Sequence, residues 1–229
     1  MTDELAASVH RSWDRVDAWL AAHAPASLAR LHPGADPAAL AAAEETLGFP
    51  LPAELTASLL RHDGADPDVW VLPGLRLLSA AGVVDQWELK TQVRAELFDE
   101  GDEGDEDGEP GEADLFWDRR WVPVAHFQGD LDTIDGRPGP THGRLALIGH
   151  DEDRGDFSPD RSWPSLAAYL AAVADQLTTG RAGVEPPPFD EPWVSPAGEL
   201  LWGWPPAVPG VRGTAEENGY RRAPVGLPD

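Results

Sequence analysis

Apolar residues at the start of the chain recur at helical spacing. Leu5, Val9, Val16 and Leu20, with Trp13 between them, predict an amphipathic helix to about Ala22. Asp36-Pro37 then places a side-chain cap before a proline at a first helical position. Leu40, Ala43 and Leu47 supply the apolar stripe of that second helix and Gly48 its stop. Pro52 opens a third helix with Leu55, Leu59 and Leu60 inward, ended by Asp63-Gly64. Val69 to Leu72 and Leu75 to Leu78 predict short strands on either side of Pro73-Gly74. Ser79 is placed to cap a helix through Val83, Val84, Trp87 and Val93.

The period then changes. Trp121 to Ala125 predicts a strand, with Pro123 at an edge or bulge position. Gln128-Gly129-Asp130 turns the chain into a strand over Leu131 to Asp135, and the loop Gly136 to Gly143 leads to another over Leu145 to Ile148. Ser162 to Pro164 starts a closing helix with Leu166, Tyr169, Leu170, Val173 and Leu177 on one face. Helices first, then strands, then a closing helix predict an α+β fold with a central antiparallel or mixed sheet. No repeat of 20–50 residues is visible.

Charge sharpens this division. The 229 residues hold 41 Asp/Glu against 17 Lys/Arg, a net charge of −24. Eleven of the acids lie in residues 96–114, which contain no Lys, Arg or His, so this stretch reads as a solvated insertion. The tail, residues 184–229, holds ten Pro and six Gly, yet also Trp193, Trp202 and Trp204. It reads as an extended arm that either docks on the globular part or stays disordered. The expected organisation is an N-terminal helix (1–24), an α+β domain (25–183) carrying the insertion, and the tail.

The same balance excludes classes of partner. A single lysine, Lys90, does not suit a protein that grips nucleic-acid phosphates, and an anionic membrane would repel this chain. Zero cysteines exclude disulfides, thiolate metal sites and cysteine nucleophiles. The acidic start, Met1-Thr2-Asp3-Glu4, lacks the basic character of a secretory signal, so the expected location is the cytoplasm.

The stretch from Ala38 to Gly64, AALAAAEETLGFPLPAELTASLLRHDG, resembles the opening of the SUKH superfamily, named partly for the fungal Smi and Knr cell-wall regulators. The matching positions are Glu44, Gly48, Leu51, Pro52, Asp63 and Gly64. The family's second signature, a Trp/Pro strand, Gly-Asp, a strand ending in Asp and a later Gly, is similar to Trp121, Pro123, Gly129, Asp130, Asp135 and Gly143. The closing helix with Leu166 and Leu170 also fits, so the resemblance spans roughly residues 25–180.

The resemblance implies a small α+β domain without catalysis or cofactor. It also implies a protein partner: many bacterial members look like immunity proteins against polymorphic or contact-dependent toxins, often nucleases, and fungal members act as scaffolds in cell-wall regulation. Nuclease toxins carry basic clefts, toward which an acidic protein is steered. The expected partner-binding residues are therefore Asp99, Glu100, Asp102, Glu103, Asp105, Glu106, Asp107, Glu109, Glu112 and Trp117. The competing reading of the charge is a solvated segment in a chain from a GC-rich genome.

Other chemistry finds little support. Glu103, Asp105, Asp107, Gly108 and Asp114 have the spacing of a calcium loop, but Glu103 stands where Asp is usual and Pro110 interrupts the strand position. His126, His142 and His150 with Asp151, Glu152, Asp153 and Asp156 lack a helical ligand pair, so they read as loop residues. Neither a nucleophile elbow nor a phosphate-binding loop is present. Trp13, Trp70, Trp87, Trp121 and Trp163 are expected in the core, and Trp117, Trp202 and Trp204 at an interface.

Overall fold

A computed structural model describes residues 2–98, 116–150, 154–181, 190–203 and 214–227. Helices α1 (Thr2–His23), α2 (Pro25–Leu28), α3 (Pro37–Leu47) and α4 (Ala53–Arg61) precede strand β1 (Arg76–Leu77) and helix α5 (Ala80–Leu97). Strands β2 (Trp121–Phe127), β3 (Asp130–Asp135), β4 (Leu145–Ile148) and β5 (Ser162–Trp163) follow, and helix α6 (Leu166–Thr179) comes next. Among the described residues the five strands form one antiparallel sheet in the order β1-β2-β3-β4-β5. Helices segregated from an antiparallel sheet make this an α+β fold, as the sequence predicts.

The caps explain where the helices begin. Asp36 accepts a bond from the Ala38 amide before Pro37, and Gly48 ends α3 at φ +80. Ser79 accepts from the Gly82 amide at the start of α5. The closing helix begins later than the sequence suggests. Ser162 and Trp163 pair with β4 as a strand, Pro164 follows, and Ser165 caps α6 through the Ala168 amide. Residues 69–72 also differ from expectation: Val69, Val71 and Leu72 are buried, but as a loop packed on the core rather than a strand. An apolar run reports burial, and burial alone does not require a ladder partner. At Pro123 the β2–β3 register shifts, which is the irregularity a proline without a donor imposes.

The two sheet faces differ. On one, Val122, Val124, Ile134 and Leu145 join α1, α4 and α6 in the main core, where Val9, Trp13, Val16, Trp19 and Leu20 of α1 are fully buried. The Trp13 indole donates to Ser58 Oγ at 3.0 Å, fixing α1 to α4. On the other face Trp117, Trp121, Leu131, Ala146, Ile148 and Phe157 form a second apolar cluster. Gly155 lies flat on Trp121, where an added Cβ would come within 2.5 Å of the ring.

The tail is docked where it is described. Strands β6 (Pro192–Val194), β7 (Leu200–Trp202) and β8 (Arg221–Arg222) form a second antiparallel sheet in the order β7-β6-β8. Trp193, Val194 and Leu200 are buried. Backbone and side-chain bonds stitch this sheet to the helices. The Ala26 amide donates to Gly198 O, the Leu200 amide to Ser27 Oγ, the Trp202 indole to Val71 O and the Trp19 indole to Pro224 O.

Candidate functional site

The charged signature residues each hold a bend of the backbone. Glu44, near the end of α3, accepts from the Leu51 amide at 2.9 Å and so sets the entry to α4. Asp63 accepts from the Ala80 amide at 2.6 Å and ties the end of α4 to the start of α5. Asp130 accepts from both the amide and Nδ1 of His150 at 2.7 Å, joining the two ends of the β3–β4 pair. Asp135 is fully buried. Its carboxylate accepts from the Arg137 amide and guanidinium and from Thr141 Oγ1, while its carbonyl accepts from the Gly143 amide.

The signature glycines serve the same bends. Gln128 and Gly129 both have positive φ, +52 and +101, the turn that matches the twist of a tight hairpin. A Cβ on Gly129 would approach that of His150 to 2.7 Å. Gly64, at φ +82, would place a Cβ 2.7 Å from the Ser79 amide nitrogen. Leu51 and Trp121 are buried beside these bends, and Pro52 stands immediately before α4.

These bends frame a cleft of about 690 Å³. The turn between α3 and α4 forms one wall with Gly48, Phe49, Pro50 and Pro52. The opposite wall comes from Val122, Ile134 and the β3–β4 turn with Asp135 and Gly143, and Leu5 and Pro164 close the ends. Four signature residues, Gly48, Pro52, Asp135 and Gly143, thus meet here from distant parts of the chain. The polar groups at the rim are already bonded. Glu54 accepts from the Ala167 amide at 2.6 Å, and Ser165 accepts from the Ala168 amide. Asp135 is paired with Arg137, and His142 Nδ1 is bonded to Arg137 O. Arg120 presents an exposed side chain. What remains is an apolar-walled cleft with a polar rim, suited to taking an apolar side chain of a partner.

A second cavity of about 320 Å³ lies between β3, α6 and the loop around Gly74. At its base Asp132 is buried against Tyr169, whose hydroxyl bonds its carboxylate. Burial pushes Asp132 up to about 7, opposed by that bond, and burial with the adjacent carboxylate raises Tyr169 well above the usual phenol range. A third cluster joins α1 to α4. Asp17 accepts from Arg61 and lies within bonding distance of His62 Nε2, and these partners hold it below the usual carboxylate range against the opposing effect of burial.

Of the expected partner-binding residues, Asp99, Glu100, Asp102, Glu103, Asp105, Glu106, Asp107, Glu109 and Glu112 lie outside the described residues, as does the calcium-like spacing ending at Asp114. Trp117 requires a correction. It is fully buried, stacks edge-on against Trp121 at 5.7 Å and donates to Thr91 Oγ1, so it packs the second cluster instead of facing a partner. Trp202, in strand β7 of the tail, is half-buried against the main core, and Trp204 lies outside the described residues. His150 is held by Asp130, and residues 151–153 are likewise not described.

Sequence reasoning missed Glu54, Arg120 and Asp132. Glu54 sits in the first turn of α4 and resembles any acid at a helix start. Asp132 is one of three aspartates in the strand Asp130–Asp135, beside Thr133, so no local pattern singles it out.

The comparisons follow the same residues. The pattern of the SMI1 / KNR4 family (SUKH-1) matches residues 34–172, more than half of the chain and the whole span from α3 to the middle of α6. Over 190 residues, 76% of this chain, the sequence is 30% identical to the cell wall biosynthesis/cell cycle regulator smi1 of Schizosaccharomyces pombe. The alignment spans 37% of that relative's length. With the signature residues holding the bends around the cleft, the match shows that this chain belongs to the SMI1/KNR4 family (SUKH-1).

Proposed function

We propose that this chain is a non-catalytic protein-binding domain that acts as an immunity protein, neutralising a basic toxin domain such as a nuclease. One observation carries the binding role: the signature carboxylates Glu44, Asp63, Asp130 and Asp135 are each engaged in holding a backbone bend. The signature therefore builds a frame around an apolar-walled cleft and leaves no free acid–base pair on it. The charge of −24 supports a basic partner, because opposite fields steer association and disfavour wrong partners. Nucleic acid and anionic membranes are disfavoured by the same field.

A second reading is a regulatory or scaffold role in cell-wall processes, favoured by the similarity to smi1. The two readings differ in gene neighbourhood and in partner. Immunity predicts a large secreted toxin encoded beside this chain and a direct complex with its toxic domain. The regulatory role predicts envelope-assembly proteins as partners and no such neighbour. For immunity, deleting Asp99–Glu112 should weaken toxin binding by roughly tenfold at low salt and flatten its salt dependence. Unchanged binding at every salt concentration would remove the acidic segment from the interface.

A further inference from the structure

A small cationic corner stands out on this acidic protein. A cavity of about 190 Å³ opens between β1 and the start of α5, lined by Arg76, His126, Ser79, Gly82, His32 and Pro67 among others. We propose that it binds an oxyanion, a phosphate or carboxylate group, with Arg76 as the residue that recognises it.

Arg76 is half-buried and lies against a pair of aromatic rings, its guanidinium 5.7 Å from the Trp70 ring centre and 5.4 Å from that of Phe127. Those rings themselves meet edge to face at 4.5 Å and present one aromatic surface to the guanidinium. Stacking orients a guanidinium plane without neutralising its charge. Among the described residues, no hydrogen-bond acceptor is present for the buried Arg76 Nε. Nor is any carboxylate within ion-pair distance of this side chain among them.

The acids close in sequence or space are engaged elsewhere. Asp63 accepts from the Ala80 amide, Asp66 bonds Arg30 and His32, and Asp130 holds His150. A buried Nε–H without an acceptor among the described residues, in a chain with 41 acids, is a donor open to a ligand.

The surroundings favour an anion. His126 Nε2 accepts from the Gly129 amide, which leaves the ring proton on Nδ1. Burial first, then the fields of Arg76 and Lys90, lower the His126 pKa against the opposing field of Asp130. The start of α5 beside it is already capped, the Gly82 amide by Ser79 Oγ and the Ala80 amide by Asp63, so Arg76 is the group that would take the anion. The alternative is that Arg76 only covers Trp70 and Phe127.

Titration with phosphate, with acetate and with chloride at matched ionic strength separates these cases, followed by NMR of the Arg76 Nε–H and the Ser79 and Gly82 amides. Saturable shifts are expected with phosphate beyond those of chloride. Phosphate alone would assign a phosphoryl ligand, and acetate as well would assign a carboxylate. Arg76→Met keeps the apolar cover and should abolish saturation. Arg76→Lys keeps the charge, preserves the fold and should weaken binding by roughly tenfold through loss of the fork. Shifts no larger than with chloride, or undiminished in Arg76→Met and Arg76→Lys, would overturn the assignment.

Discussion

Replacing Asp132 by Asn should stabilise the protein by about 4 kcal/mol at pH 8, and by less than about 1 kcal/mol at pH 4. The sign follows from where the proton sits in each state. Asp132 lies on β3 between Leu131 and Thr133, buried against Tyr169 of α6, and burial raises it from 3.8 to about 7. Below its unfolded value both states hold the proton and the group contributes no difference. Between pH 4 and 7 the unfolded chain releases the proton while the folded chain retains it, so stability falls as pH rises. Above 7 the folded chain carries a buried carboxylate and the penalty is constant.

Asn keeps an oxygen that can accept from the Tyr169 hydroxyl and removes the ionisation. Asp130, Arg161 and Asp190 line the same cavity, and their charges persist in both proteins, so the difference isolates Asp132. Chemical denaturation at pH 4, 6 and 8 measures it. Equal midpoint differences at all three pH values would show that Asp132 titrates normally in the folded state.

Removing the tail should have an effect of similar size in the opposite direction. A chain ending at residue 189 would lose the burial of Trp193, Val194 and Leu200. At roughly 1.5–3 kcal/mol for each large apolar side chain, the loss is about 5 kcal/mol. It would also remove the Pro224 carbonyl that accepts from the Trp19 indole, the Trp202 indole that donates to Val71 O, and the bond from the Leu200 amide to Ser27 Oγ. Trp19 is wholly buried in the main core, so the loss reaches α1 directly. Thermal and denaturant melts of the truncated chain, with Trp193→Ala as a milder companion, test this. An unchanged midpoint would mean that the tail rests on the domain without supporting it.

How much of this was legible in the sequence depended on how local the determinant was. Asp36-Pro37, Ser79 and Gly48 define helix ends through bonds within a few residues, and those ends were found. The sequence predicts a strand over Leu145–Ile148, and the structure has one there. The strand at Ser162–Trp163 was missed because it exists through pairing with β4, a contact that no local pattern announces. Residues 69–72 looked like a strand because loops packed on a core also need apolar residues.

The site was harder to read. The signature residues could be picked out one by one, but the cleft exists only because α3, β3 and the β5–α6 junction converge. Arg76 carries no sequence signal, since its meaning comes from having no carboxylate within ion-pair distance among the described residues. Trp117 was misplaced for the complementary reason. Its position beside a run of acids suggested exposure, while the contact that buries it comes from Trp121 on the sheet.

The central claim, that this family member works by binding a basic protein, has a direct measurement. The account predicts a secreted toxin encoded beside this chain, and the intact chain is titrated calorimetrically, at low and at high salt, with the toxic domain of that protein. The account predicts a saturable complex, loss of the toxin's activity at equivalence and an affinity that falls as salt rises. No heat of binding at low salt, with the toxin fully active at excess chain, would contradict it.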